Sequence, residues 1–260
     1  MMSTLAHLIS LVAGLLCTSS ATAVTIVPPP SHDGFDYQIG GAYPPPAGVR
    51  VVGRDHSDRP AAGLYNICYI NAFQAQPDTE SEWGDLLLRD GNGEIVYDDQ
   101  WGEAMLDIRS AGKRQRIAAT VNGWIDQCAS KGFEAVEPDN YDTYTRAPDG
   151  LLTASQAQSL IRLLSAHAHD VGLAIAQKNT VELAGNRVAN GLDFAVAEEC
   201  GQWDECGDYV NAFGNNVIVI EYSGQGLRAA CADWGARLSI VRRDVQVSTP
   251  RRADYEYETC

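Results

Sequence analysis

Several short apolar stretches of the chain run directly into ionisable side chains. Glu134-Ala135-Val136-Glu137 continues into Pro138-Asp139-Asn140-Tyr141-Asp142, Leu173 to Ala176 into Gln177-Lys178-Asn179, and Phe194 to Ala197 into Glu198-Glu199-Cys200. Val217 to Ile220 ends in Glu221-Tyr222, and an earlier stretch carries Cys68-Tyr69-Ile70-Asn71. Two carboxyl groups flanking a glycosidic bond can protonate the leaving oxygen and attack the anomeric carbon or activate water. A lone acid at a strand end is ordinarily a helix N-cap, which is the plain reading of Asp142 or Asp204. Lys178, on the same plain reading, only neutralises a carboxylate. Glu137 and Asp139, two apart, share a strand face, so Glu137 is a candidate acceptor behind Asp139. Four successive strands with acidic or Lys-Asn ends exceed what capping needs, and they point to a carboxylate-based active site.

Rival chemistries find less support. His167 and His169 are two apart on a helix and face apart, so they cannot share a metal ion. His32 and His56 have no companion nucleophile. No G-x-S-x-G elbow, Walker loop or CxxC pair occurs, which removes triad hydrolase, nucleotide and zinc readings. The chain has 260 residues with 34 acidic and 19 basic side chains, a formal charge of −15. That balance argues against nucleic acid, whose phosphates need clustered Lys and Arg, and favours a cationic partner. Trp83, Trp101, Trp203 and Trp234 are candidate sugar-stacking platforms, while Trp124 reads as core.

The elements that must position these groups alternate. Ile117, Val121, Trp124, Ile125 and Cys128 recur at helical spacing, and Gly132 closes that helix as a left-handed cap. Thr153-x-x-Gln156 is a capping box. It opens a second helix carrying Leu160, Leu163, Leu164 and Val171, stopped at Gly172. Continuous apolar strands between amphipathic helices indicate a parallel sheet covered by helices. The segment around Tyr37, Val51-Val52, Leu64 to Ala72, Met105 to Ile108 and Leu238 to Val241 raise the strand candidates to nine, one more than a barrel holds. Short helix-to-strand turns and long loops after strands, as at 140–152, predict a single-domain α/β fold: a (β/α)8 TIM barrel with its site at the C-terminal mouth. A doubly wound open sheet is the alternative, without its G-x-G-x-x-G fingerprint. Prolines around residues 28–30 and 44–46 make the entry segment extended.

Leu5 to Cys17 is apolar and leads to Ala21-Thr22-Ala23, the pattern of a secretory signal peptide over 1–23, leaving 24–260 as the domain. No later segment is long and apolar enough to span a bilayer, so no membrane association is expected once the leader is removed. Six cysteines remain, an even number that reads as three disulfides stapling an exported fold. Fifteen pairings are formally open; Cys200–Cys206 as a local loop, Cys231–Cys260 pinning the tail and Cys68–Cys128 joining a strand to a helix are expected.

Taken together, Gly132 to Asn140, Ala166 to Leu173, Lys178-Asn179 and Phe194 to Cys200, with Cys68-Tyr69-Ile70 and Glu221-Tyr222, resemble glycoside hydrolase family 114 over roughly residues 37–223. Those enzymes are TIM-barrel endo-α-1,4-polygalactosaminidases. The resemblance implies that Asp139 and Glu198 are the catalytic pair: Asp139 attacks the anomeric carbon with retention, and Glu198 serves as acid and then base. It implies substrate-binding roles for Tyr69, Asn71, Glu137, Asn140, Lys178, Asn179, Glu199, Glu221 and Tyr222. Glu199 stands where the family ordinarily has Gln, and strand alternation lets only one of Glu198 and Glu199 face the mouth. The acid of such a pair must hold its proton near neutral pH, which a neighbouring ionised carboxylate favours; Glu137 and Glu199 are the nearest in sequence. The implied substrate is a cationic amino-sugar polysaccharide, cleaved by a secreted monomer with no cofactor. Another α-linked glycan, or carbohydrate binding without catalysis, are the competing readings, the sugar being set by loops 74–104 and 140–152.

Overall fold

Alternation along each strand divides the core in two. Phe35, Val51, Ile67, Ala135, Ala174, Phe194, Ile218 and Val241 pack together in an inner cluster, while Ile70, Val136, Ile175, Ala195, Val217 and Ile240 pack outward with helix residues. Every second residue therefore points into a barrel and the intervening ones meet a surrounding helical layer. The structure, a computed structural model, describes residues 25–148 and 150–260. The expected leader over 1–23 lies outside the described residues.

In chain order the elements are β1 (Gly34–Gln38), β2 (Val49–Asp55), β3 (Tyr65–Asn71), β4 (Gln74–Ala75), α1 (Glu80–Trp83), β5 (Ala104–Met105), α2 (Ala111–Lys131), β6 (Ala135–Asp139) and α3 (Thr143–Arg146). They continue with α4 (Ala154–Asp170), β7 (Ala174–Lys178), α5 (Arg187–Asn190), β8 (Phe194–Glu198), α6 (Cys206–Phe213), β9 (Val217–Glu221), α7 (Gly224–Trp234), β10 (Ser239–Arg243) and β11 (Tyr257–Thr259). Parallel pairing runs in the order β1-β2-β3-β6-β7-β8-β9-β10, with β11 antiparallel on β10. Side chains tie β1 to β10 across the seam: the Asp33 amide donates to Ser239 Oγ at 3.0 Å, and Arg243 Nη1 lies 3.1 Å from Asp36 Oδ1 with both side chains buried. The result is a nearly closed eight-stranded TIM-like barrel. The supernumerary ninth candidate strand is the one at Met105: β5 pairs antiparallel with β4 outside the barrel. Among the described residues no helix is long and apolar enough to cross a membrane.

The helices begin and end as their sequences dictate. Ser110 caps α2, Thr153 and Gln156 form the expected capping box on α4, and Gly132 closes α2 at φ 91°. Leu163, expected on the apolar face of α4, is instead exposed, because the stripe through Leu160, Ile161 and Leu164 already covers the sheet. Cys68–Cys128 staples β3 to α2, Cys200–Cys206 closes the loop after β8, and Cys231–Cys260 ties α7 to the tail beyond β11.

The strands reach further than their apolar residues. β6 extends to Asp139, β7 to Lys178 and β8 to Glu198, because the inside of the barrel mouth accepts polar groups that a dry core would not; β9 extends to Glu221.

Candidate active site

Inward alternation continues past the apolar layer and builds the site. After Ala135 the next inward positions of β6 are Glu137 and Asp139; after Ala174 and Ala176 comes Lys178; after Phe194 and Val196 comes Glu198. Tyr37 and Tyr69 follow by the same step from Phe35 and Ile67, and Tyr222 follows Ile220. Pro138 has no N–H to offer a neighbour. Pairing of β6 with β3 runs on to Asp139, whereas pairing with β7 stops at Val136. The two strands thus part at the mouth, where Lys178 bridges to β6. Asn140, Asn179 and Glu199 then turn the chain sharply at φ 61°, 47° and 58°, a left-handed conformation uncommon for residues other than glycine.

Lys178 is the centre of the arrangement. Its Nζ lies 3.0 Å from Glu137 Oε1, 3.2 Å from Asp139 Oδ1 and 3.4 Å from Glu198 Oε1, with 2 % of the side chain exposed. The rings of Tyr37 and Tyr69 lie 5.5 and 5.9 Å from the ammonium, within cation–π range. Tyr37 donates to Glu137 Oε1 at 2.8 Å, and Tyr69 donates to Asp139 Oδ2 at 2.8 Å. The Asn140 amide donates to Asp139 Oδ1 at 2.7 Å. Glu198 accepts from the Tyr222 hydroxyl and, at 2.9 Å, from Asn179 Nδ2, while its own amide donates to Asn179 Oδ1. Sharing one ammonium, Asp139 and Glu198 have their nearest oxygens separated by no more than those two contacts laid end to end.

The electrostatics separate the carboxyls. Burial pushes Asp139 up, but the Lys178 charge, the Asn140 amide and the Tyr69 hydroxyl outweigh it and hold the carboxyl below its ordinary range. Burial dominates at Glu137 and, against Lys178, raises it to about 7; among the described residues its Oε2 has no hydrogen-bond partner. Lys178 is held well above its usual value, burial notwithstanding, by Asp139, Glu198, Tyr37 and Glu137. Desolvation also lifts the hydroxyls of Tyr37, Tyr69 and Tyr222, so all three remain neutral donors.

A cavity of about 180 Å³ opens over this cluster, lined by Tyr69, Asp139, Asn140, Lys178, Asn179, Glu198 and Tyr222. Others of the sequence-derived candidates lie behind it or elsewhere. Glu137 is buried beneath the floor, and Asn71 stands behind the wall, accepting from Asn140 Nδ2 at 2.9 Å. Glu199 turns out of the mouth and does not line the cavity. Glu221 has the opposite parity from Tyr222 and points outward under α7, where its Oε1 accepts the Gly201 amide at 2.7 Å. Glu199 raises Glu221, after burial, rather than acting within the cavity. Asp142 sits at the N-cap position of α3 but makes no capping bond; it pairs with Arg146 at 2.5 Å on the cavity wall. Glu205, not Asp204, occupies the cap position of α6.

The cavity also has walls that the sequence did not announce. Glu103, Arg146, Ile39 and the 245–247 segment line it. The last packs so closely on Gly40 that a Cβ there would lie 2.4 Å from the Val247 carbonyl. Of the tryptophan platforms only Trp101 lines the cavity, at 44 % exposure. Trp83 is buried, Trp203 is exposed and does not line the cavity, and Trp234 packs on the core. His167 and His169 take separate partners, Asp126 and Asp193. Among the described residues no cluster of three or more His, Cys, Asp or Glu is arranged to hold a metal ion.

A (β/α)8 barrel carrying paired carboxylates at its C-terminal mouth is the architecture of a barrel glycosidase. The chain belongs to glycoside hydrolase family GH114, whose profile matches residues 17–260 and so includes the tail beyond 223. The barrel is similar to the Aspergillus fumigatus protein Ega3, solved in complex with galactosamine, at 24 % identity and a TM-score of 0.72, covering 92 % of this chain and 99 % of that one. It is also similar to the glycoside hydrolase domain of PelA from Pseudomonas aeruginosa, at 14 % identity and a TM-score of 0.57, covering 87 % and 97 %. No curated protein sequence matches the chain.

Proposed function

We propose that the protein is a secreted, monomeric endo-glycosidase that hydrolyses α-1,4-linked galactosamine-containing polysaccharide with retention. The observation that carries this reading is the placement of Asp139 and Glu198, from strands far apart in sequence, on one buried ammonium beside an open cavity. Asp139, held ionised by Lys178 and by the Asn140 and Tyr69 donors, attacks the anomeric carbon. Glu198 gives its proton to the leaving oxygen as that bond breaks, then takes one from a water whose oxygen attacks the anomeric carbon and releases the Asp139 carboxylate. Inversion needs carboxyls about 6.5–9.5 Å apart to admit a water between them, retention about 5–5.5 Å; contacts of 3.2 and 3.4 Å to one ammonium hold the two groups close together, which supports the narrower spacing. Lys178 keeps three carboxylates together without entering the covalent chemistry.

The amino-sugar assignment is supported by the galactosamine found in Ega3 and by the net charge of −15. Export is supported by three disulfides, which persist in oxidising compartments. Reducing-end release from an α-1,4-galactosamine polymer tests the reading. The parent is expected to cleave, and Asp139→Asn and Glu198→Gln to lose at least about 1,000-fold in kcat, as loss of a nucleophile or its acid does. Glu199→Gln, outside the cavity, is expected to remain active. Binding of the polymer without any release by the parent would overturn catalysis, and activity surviving in Glu198→Gln but not in Glu199→Gln would reassign the acid.

A further inference from the structure

Every carboxyl group on the cavity wall but one has a basic side chain beside it. Four carboxylates line the cavity: Glu103, Asp139, Asp142 and Glu198. Asp139 and Glu198 share Lys178, and Asp142 is met by Arg146. Glu103 has no such partner: among the described residues no Lys, Arg or His forms an ion pair with it. Its hydrogen bonds come from two neutral amides, Asn71 Nδ2 at 2.9 Å and Asn140 Nδ2 at 3.3 Å, and both fall on Oε2. Burial, together with the charges of Asp139 and Asp98, raises its proton affinity, and the two amides only partly oppose this. A partly buried carboxylate without a counter-charge is costly unless something else supplies the cation.

Glu103 is also held in place. It closes a turn in which the Asp98 amide donates to the Glu103 carbonyl and the Gly102 amide to the Asp98 carbonyl, both at 2.8 Å. The Asp98 side chain anchors the turn, accepting from Arg146 Nε at 2.6 Å and from the Gln100 amide at 2.9 Å. The same turn carries Trp101, so an aromatic face and an unpaired carboxylate enter the cavity from one rigid support.

We propose that Glu103 receives the positively charged amine of the bound sugar and so selects free amino sugars over neutral ones. This deepens the proposed function and rests on it for the identity of the polymer, but the preference it assigns is a property of binding and is read without catalysis. A galactose hydroxyl or an N-acetyl group would leave Glu103 uncompensated, whereas an ammonium would supply the basic partner it lacks.

NMR titration of the intact protein with galactosamine, galactose and N-acetylgalactosamine at pH 7 tests this, beside the Glu103→Gln variant. Glutamine keeps an acceptor for Asn71 and Asn140 and removes only the charge. The parent is expected to bind galactosamine about tenfold or more tightly than galactose, the range of a charge-assisted hydrogen bond, and the variant to lose that preference while retaining galactose binding. Equal binding of the three sugars by the parent, an undiminished preference in Glu103→Gln, or an equal loss of all three in the variant would each overturn it. Failure to cleave the polymer, with the Glu103-dependent preference intact, would refute the proposed hydrolysis and leave this assignment standing.

Discussion

Lys178 Nζ lies 3.0 Å from Glu137 Oε1, and both side chains are buried. The pair lies directly beneath the carboxylates proposed to do the chemistry, so the ammonium that neutralises Glu137 also faces Asp139 and Glu198. Burial weakens the hold of Glu137 on a negative charge and moves it to about 7. Asp139, with more donors and the same lysine, stays below its ordinary range. The lysine therefore holds Asp139 ionised beside a buried carboxyl poised to take up a proton near neutrality.

Replacement of Lys178 by Met removes the largest influence that lowers Asp139 while leaving its burial in place. The proposed nucleophile must be ionised, so activity falls as pH drops through its pKa. In Lys178→Met that acidic limb of kcat/KM is expected to move up by about 1–3 pH units, the range for loss of an opposite charge at this distance, with a large fall in kcat. An acidic limb that stays in place would separate Lys178 from the state of Asp139.

Two tyrosines offer a contrast, because each donates to a different carboxylate. Tyr69 reaches Asp139 and Tyr222 reaches Glu198. Removing either hydroxyl with Phe is expected to lower kcat by about 10- to 100-fold, the scale of one hydrogen bond to a charged group. Tyr69→Phe should also move the acidic limb upward, since that hydroxyl helps to lower Asp139, whereas Tyr222→Phe should leave it in place. Identical pH profiles for the two variants would refute the division of labour.

The barrel, the capping box on α4 and the number of disulfides follow from local rules that a single sequence displays: helical periodicity, glycine stops and an even cysteine count; which cysteines pair does not follow from the count. The parity of the strands is hidden. In Val217-Ile218-Val219-Ile220 every residue is apolar, so nothing tells whether Glu221 or Tyr222 continues the inward row, and both were candidates; the barrel chooses Tyr222. Asn179 is displaced from simple alternation by a left-handed turn at the strand end and lines the cavity beside Lys178. Glu103 stands on a loop and Arg146 ends α3, and both are placed by hydrogen bonds of Asp98 to Gln74 and Arg146 and of Gln74 to Thr143, which join residues far apart in sequence. In the sequence Tyr37 reads only as a strand residue, because its contact with Glu137 joins positions 100 residues apart.

The Cys68–Cys128 bridge links β3 to α2 across 60 residues and spans the loop that carries Trp101 and Glu103. Constraint of a loop of that length typically contributes about 2–4 kcal/mol. Cys68→Ala/Cys128→Ala is expected to lose stability on that scale in urea unfolding, more than Cys200→Ala/Cys206→Ala, whose bridge spans only 6 residues. The reverse ranking would mean that native-state packing at the shorter bridge outweighs loop entropy.

Glu221 provides the last test, away from the cavity. Burial, set only partly against the Gly201 amide, raises its carboxyl to about 7, and Oε2 is without a partner. Gly226 leaves the room: a Cβ there would lie 2.0 Å from that oxygen. In the unfolded chain a glutamate titrates near pH 4.3, so between that value and about 7 the folded state holds a proton that the unfolded state has released. Stability from this group is therefore fully present at pH 4, falls as pH rises to 7 and is level above; Glu137, also raised to about 7, contributes in the same direction. Glu221→Gln is expected to flatten part of the decline in denaturant midpoint between pH 4.5 and 7, and Glu137→Gln/Glu221→Gln more of it. Glu221→Gln should leave substrate turnover intact, because its side chain faces α7 and not the mouth. A wild-type midpoint that rises across that interval, with the same rise in the double variant, would show that neither carboxyl holds its proton in the folded protein.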